Sequence, residues 1–385
     1  MVRPADFQNN LSIFPGPRHR LGRGRTQPCR FGDYSGGRRA ARPTRRGRLH
    51  RRRMTAQPAA RTPEHRPKVV FYDPPRLRWA FDIERSVFAP HGVELIIPVD
   101  DAEGDTVIED ADVVIVAGVR RMGAAQIQRL RRAVGLQCYS VGMNQVDAAA
   151  AAKAGIPVRN VPGYSADEVA DHALTLLLAA WRRLVPLVGK AASEGWPAAQ
   201  ASPENASIRR IRGKTLGVLG AGRIGAKVAA RARAFGMRTI AADPYGHGTD
   251  ELPILPLAEV LTRADGLVCC AALTPESRGV LGAEMLALVK PGLIFVNVAR
   301  GGLVDEAALA AALQDGRIAS AALDVREPEP PDPARDLLSG LPNVIQTPHV
   351  GGLSQEAFLD LHREAAESCL QLLRSAGRLP PAQGA

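Results

Sequence analysis

The stretch KTLGVLGAGRIGAKVAARARAFGMRTIAADPYG, beginning at Lys214, constrains the chain most. It places Gly220, Gly222 and Gly225 in G-x-G-x-x-G register. The glycines follow an apolar strand pattern and open a helix pattern that closes at Gly236, and a second strand pattern then ends in Asp243. A bare glycine triplet is a weak signal. Strand, glycines, helix, strand and acid in that order are what a dinucleotide site requires. Gly220 permits the tight turn. Gly222 lets the backbone approach a pyrophosphate, which sits on the first N–H groups of the helix at Arg223 and Ile224. Gly225 allows close helix–strand packing. Asp243 stands eighteen residues past Gly225 and can accept both ribose hydroxyls of NAD. It would repel the 2′-phosphate of NADP, which the nearby Arg223 offsets only in part.

The surrounding pattern agrees with that unit. Strand patterns fall at 68–73, 93–99, 111–118, 135–142 and 157–161, with helical patterns between them at 123–132 and 146–155. Ser165 and Glu168 form an S-x-x-E capping box, which predicts a long helix from there. Residues 196–207 are rich in Pro, Ser and Ala and read as a loop. Further strands are expected near 266–271, 293–298, 319–325 and 343–347, with helices near 257–263, 283–289, 305–315 and 333–339. Alternating strands and helices imply parallel sheets. With the first two strands of the glycine unit, the second set makes a six-stranded doubly wound sheet. A last helix, 354–377, is expected to pack back across the first domain.

Composition matters chiefly at the N-terminus. Residues 1–53 hold fifteen arginines, no lysine and two acids, Asp6 and Asp33, a balance of +13 that leaves about −2 of the total +11 for the rest. Such a segment buries too little apolar surface to offset its ordering entropy, so disorder is expected over 1–66. It reads as a solvated tail or as an over-long start with Met54 as the initiator; a nucleic-acid arm is the weaker alternative, since no aromatics interleave the basic residues. The longest apolar run, ALTLLLAAW (173–181), is about half of what spans a bilayer, and no secretory h-region is visible. The five cysteines, Cys29, Cys138, Cys269, Cys270 and Cys369, show no C-x-x-C spacing. That argues against a zinc site or a disulfide framework and fits a cytoplasmic protein. Adjacent Cys269 and Cys270 read as small buried apolar residues.

VNVARGGLVDEAAL (296–309), AALDVREPEP (321–330) and TPHVGG (347–352) follow the glycine unit in order. Together these motifs resemble the D-isomer-specific 2-hydroxyacid dehydrogenases. NVPGYSADEVADHAL and RRIRGKTLGVLGAGRIG look closest to the branch with C-terminal-binding-protein-like and phosphoglycerate-dehydrogenase-like members. The likeness runs from about 68 to about 375. It implies a two-domain α/β protein: a flavodoxin-like substrate domain (67–164 and 350–378) and a doubly wound Rossmann NAD-binding domain (165–349), with the site in the cleft between. The same resemblance implies Arg300, Glu329 and His349 as the catalytic set. Glu329 is chosen over Glu327 because it stands five residues after the aspartate of LDV. Asp324 resembles the residue that binds the nicotinamide carboxamide, and Thr274 and Ala299 complete the cofactor contacts. Backbone amides at Ala117, Gly118 and Val119, with Val141 and Arg300, are expected around the substrate. Arg120 and Arg121 read as a solvated charge pair, with reach to an acidic substrate tail as the alternative.

Several positions depart from the family's usual pattern. Ser140 and Asn144 stand where a glycine and an aspartate are usual, Cys270 where a histidine is common, and Ala272 where a proline is. These put the substrate, not hydride transfer, in doubt. What the resemblance implies is an NAD-dependent D-2-hydroxyacid dehydrogenase, working as a homodimeric reductase of a small 2-keto acid such as glyoxylate or hydroxypyruvate, with the 165–195 region as the interface. A dedicated 3-phosphoglycerate dehydrogenase is the alternative enzyme, disfavoured because about 35 residues follow His349. A formate dehydrogenase is disfavoured by the acid at Glu329. The rival class is an NAD(H)-sensing, co-repressor-like binding protein. No membrane role and no metal are expected.

Overall fold

The computed structural model describes residues 66–73 and 81–382. The expectations for the basic N-terminal segment and for Cys29 lie outside the described residues. The first half builds a five-stranded parallel sheet: β1 (Lys68–Phe71), β2 (Glu94–Ile96), β3 (Val113–Val116), β4 (Gly135–Cys138) and β5 (Val158–Arg159), in the order β2-β1-β3-β4-β5. That is the flavodoxin-like order. Helices α1 (Asp82–Phe88), α2 (Asp101–Val107), α3 (Ala124–Gln128) and α4 (Ala148–Lys153) connect its strands. β3 reads VVIV and is buried at every residue, as a strand covered on both faces must be. Each such aliphatic side chain contributes roughly 1.5–3 kcal/mol through burial.

Two long helices follow, α5 (Ala166–Trp181) and α6 (Leu184–Glu194), then a short α7 (Trp196–Gln200). A loop was expected at 196–207. Instead Pro197 sits in the first turn of α7, where its missing N–H costs nothing, and a 3₁₀ turn covers 203–207. The long helix begins where Ser165 predicted, but the capping box does not form. Ser165 makes no side-chain cap, and the Glu168 carboxylate is engaged instead by the Ser354 hydroxyl at 2.8 Å. A partner 186 residues away competes for the acid and wins.

The second sheet holds β6 (Thr215–Leu219), β7 (Arg238–Ala242), β8 (Gly266–Cys269), β9 (Leu293–Asn297), β10 (Ile318–Leu323) and β11 (Val344–Gln346). Its order is β11-β10-β9-β8-β6-β7, all parallel, so the chain reverses its direction of growth between β6 and β8. Ligands of open α/β sheets bind at such a switch point, beyond the strand C-termini. Helices α8 (Arg223–Ala234), α9 (Leu257–Arg263), α10 (Ala283–Leu286) and α11 (Glu306–Gln314) lie between the strands.

No helix forms at 333–339. The Asp336 Oδ1 atom accepts the N–H groups of Leu338 and Ser339, and Asp332 accepts that of Ala334. These local turns satisfy the backbone in place of helical bonds. The final helix, α12 (Gln355–Ser375), is capped by Ser354, whose Oγ accepts the Ala357 N–H at 2.8 Å. It returns to the first sheet as expected: Ala365, Cys369 and Leu373 pack with Val69, Phe71 and Ile115. Beneath it a buried Glu84 on α1 accepts a hydrogen bond from Tyr139 and pairs with His362 of α12. No helix among the described residues is long and apolar enough to cross a membrane.

Candidate functional site

The cofactor end starts where β6 stops. Gly220 turns at φ 92°, and a Cβ there would lie 2.6 Å from the Ala271 backbone. Gly225 packs so closely that a Cβ would overlap the Gly220 carbonyl. Gly222 faces open space. Beyond it α8 starts without a side-chain cap, so the N–H groups of the exposed Arg223, the half-buried Ile224 and Gly225 have no local acceptor from a capping side chain. An open floor, close backbone and an uncapped helix start fit a pyrophosphate. Asp243, at the end of β7, accepts the Ala221 N–H at 2.8 Å and the Tyr245 N–H at 2.9 Å. The acid thus braces the glycine turn and keeps lone pairs for ribose hydroxyls. Thr274 closes a reciprocal turn with Ser277, and Ala299 is held by the Asn297 side chain at 3.0 Å. Cys269 is fully buried; Cys270 is half-buried, and burial pushes its thiol up to about 12.

The catalytic candidates gather at the C-terminal ends of β9, β10 and β11. Arg300 follows β9; its Nη1 donates to the Ala299 carbonyl at 2.6 Å, and its own carbonyl accepts from Asn297. Gly142, in the loop after β4, lies under the guanidinium, where a Cβ would overlap Nη2. This contact brings the first sheet's loop onto the second sheet's arginine. Ser140, which replaces the family's usual glycine, donates to the Gly142 carbonyl at 2.6 Å and accepts from Gln145. It stiffens that loop.

His349 pairs through Nδ1 with Glu329 Oε2 at 2.8 Å. This bond, with the negative charge of Glu329, raises the imidazole pKa against the opposing effects of burial and of Arg300. Burial would raise the Glu329 carboxyl, but the bonds from His349 and the Arg326 N–H outweigh it and hold it low. His349 adopts φ 55°, a left-handed conformation that costs roughly 1–3 kcal/mol for a residue with a Cβ. Asp324 supplies the restraint. Its carbonyl accepts the His349 N–H at 2.9 Å, and its carboxylate accepts from Thr347 Oγ1 (2.6 Å), Val350 N–H (3.0 Å) and Gly351 N–H (2.9 Å). His172 of α5 adds a contact at 3.3 Å. At 3 % exposure the Asp324 carboxyl is pushed up by burial, yet these donors outweigh that and keep it ionised.

Two expectations about the first sheet need correction. The Ala117 N–H is not offered to a ligand, because the buried Asp73 carboxylate accepts it at 2.6 Å, along with the Arg120 N–H at 2.6 Å. Between them the Gly118 N–H is also engaged by Asp73, although the residue is exposed; the half-exposed Val119 remains outward, and Val141 is 37 % exposed on the neighbouring loop. Arg120 is neither solvated nor aimed at a substrate: it stacks 4.0 Å over Tyr72 and pairs with Asp105 at 2.7 Å. Arg121 is exposed. Asp73, Gly142, His172 and Thr347 were not singled out from the sequence. Their roles depend on partners between 23 and 175 residues away, which spacing along the chain does not reveal. Among the described residues no cluster of three or more His, Cys, Asp or Glu is placed to hold a metal ion.

Comparison with known proteins places this architecture. Residues 174–351 match the family described as D-isomer specific 2-hydroxyacid dehydrogenase, NAD binding domain. A D-3-phosphoglycerate dehydrogenase of Methanocaldococcus jannaschii is 38% identical over 279 residues, covering 69% of this chain and 51% of that protein. The chain therefore spans about half the length of that relative. A hydroxypyruvate reductase of Thermotoga maritima is 36% identical over 65% of this chain and 81% of its own length. Among solved structures, the TT0316 protein from Thermus thermophilus is 35% identical with a TM-score of 0.70, covering 82% of this chain and 98% of that one. With the glycine cradle at the switch point, the chain belongs to the D-isomer specific 2-hydroxyacid dehydrogenase family and carries its NAD-binding domain.

Proposed function

We propose that the protein interconverts a small 2-keto acid and its 2-hydroxy acid with NAD(H), acting chiefly as a reductase on an acid such as glyoxylate or hydroxypyruvate. The observation that carries this reading is the His349–Glu329 pair beside Arg300, at the strand ends where the cofactor cradle also opens. Residues 165–349 hold the cofactor, and 67–164 with 350–378 close over the substrate. When bound, nicotinamide supplies or takes the hydride. Gly220, Gly222, Gly225 and the N–H groups at Arg223 and Ile224 hold the pyrophosphate, and Asp243 takes the ribose. Thr274, Ala299 and Asp324 line the nicotinamide side.

Arg300 grips the carboxylate and polarises the carbonyl through its planar fork, with Gly118, Val119 and Val141 on the opposing wall. His349 uses Nδ1 for Glu329, which leaves Nε2 to give the proton to the substrate oxygen and to take it back in the reverse direction. Glu329 fixes that tautomer and stabilises the imidazolium. Self-association is assigned to the 165–195 region: α6 buries none of its residues, and Leu184, Val185 and Val188 are at least half exposed.

Glu329→Gln tests the reading. Reduction needs the protonated imidazole. Glu329 raises the His349 pKa, so it extends reduction to higher pH. The variant is expected to lose keto-acid reduction at a lower pH than the parent, while the oxidation direction gains at that same limb. An alkaline limb of the pH–rate profile that stays in place would count against the pairing.

A further inference from the structure

Arg326 lies three residues before Glu329 and is 8 % exposed. All five of its guanidinium donors are engaged. Nε donates to Glu306 Oε1 at 2.8 Å and Nη2 to Glu306 Oε2 at 2.8 Å. Nη2 also reaches Asp336 Oδ1 at 2.7 Å, and Nη1 reaches Gln346 Oε1 at 2.5 Å and Asp336 Oδ2 at 3.4 Å. A solvated surface arginine does not fill its fork in this way; a buried one does so to hold separate segments in one geometry.

The acceptors come from three places. Glu306 opens α11, six residues after Arg300. Asp336 lies in the turn that replaces the expected helix. Gln346 ends β11, three residues before His349. The backbone adds to this. The Arg326 N–H donates to Glu329 Oε1 at 3.0 Å, and the Glu327 N–H donates to Glu306 Oε1 at 3.2 Å. Gly301, next to Arg300, rests on the Arg326 peptide so closely that a Cβ would overlap its carbonyl.

We propose that Arg326 is a positioning residue: its buried guanidinium ties together the three segments that carry Arg300, Glu329 and His349 and so sets their mutual geometry. It touches no reacting atom. The proposal rests on the functional reading above for the roles of those three residues. Small displacements of reacting groups lower turnover far more than binding.

The test compares the full-length parent with Arg326→Lys, Gln346→Met and Glu329→Gln. Lysine keeps the charge but not the fork. Gln346→Met removes one acceptor of the guanidinium and no charged group, so it decides the matter if the lysine variant does not fold. The His349 ring is followed by NMR titration and assigned by its absence in His349→Ala. The charged groups that face it are Glu329, Arg300 and Asp324, all unchanged in the first two variants. The expected result is a His349 pKa below the parent's in both, displaced toward that of Glu329→Gln. With it, kcat falls about tenfold and KM stays within about twofold. Folded variants whose His349 titration superimposes on the parent's would overturn the proposal, even with a lowered Tm, because Arg326 would then be a stabilising residue only. A parent that reduces no 2-keto acid would sink the functional reading and still leave the titrations to decide this one.

Discussion

His349→Ala is expected to lower keto-acid reduction by about 10²- to 10⁴-fold while NADH binding persists. On the proposed reading the ring contributes the proton, and neither neighbouring acid is placed to replace it: Glu329 is held ionised and is bonded to the ring's other nitrogen, and Asp324 is engaged by the 347–351 turn. Alanine also has to adopt φ 55°, which costs about 1 kcal/mol for a residue without a side chain suited to that region. His349→Asn therefore makes the cleaner companion, since asparagine tolerates the left-handed conformation. Both should bind NADH like the parent, as followed by fluorescence, and both should fail to turn over. A histidine variant that keeps more than about a tenth of parental kcat would remove His349 from the proton path.

Arg300→Lys is the second large effect, expected at roughly 10- to 100-fold in kcat/KM, the equivalent of losing one or two charge-assisted hydrogen bonds. Lysine conserves the charge, but not the two parallel donors that a planar carboxylate needs. Sterics add to this. The guanidinium lies against Gly142 and is anchored to the Ala299 carbonyl, so the fork is pre-oriented before substrate arrives. A lysine ammonium on a flexible stem keeps neither contact, and steady-state kinetics should show KM rising together with the fall in kcat. If kcat/KM stayed within a factor of about two, the arginine would be acting as a point charge only.

Much of this was legible before any coordinates. The glycine unit was readable because each of its requirements is local: φ 92° at Gly220, no room for a Cβ at Gly225, and an acid at the next strand end. Buried parallel strands such as Val113–Val116 were readable because both faces are apolar. Four of the misses share one cause. Ser165 and Glu168 have the spacing of a capping box, but Ser354 claims the acid. Residues 333–339 have helical spacing, but Asp332 and Asp336 fold back onto the chain. Arg120 beside Arg121 looks solvated, yet a tyrosine face and Asp105 enclose it. Ala117 looks like an amide donor to a ligand, yet Asp73 has taken its N–H. In each case a competing partner outbids the simple pattern, and for all but the 333–339 turns only the fold brings that partner near.

The central claim is that this cleft transfers a hydride to a 2-keto acid. The most direct measurement is NADH oxidation, followed by absorbance, for the full-length protein against a panel of 2-keto acids that includes glyoxylate, hydroxypyruvate and its 3-phosphate. Turnover of at least one of them is predicted, lost in His349→Ala. Tight NADH binding with no turnover of any acid would contradict the account and point to a cofactor-sensing protein instead.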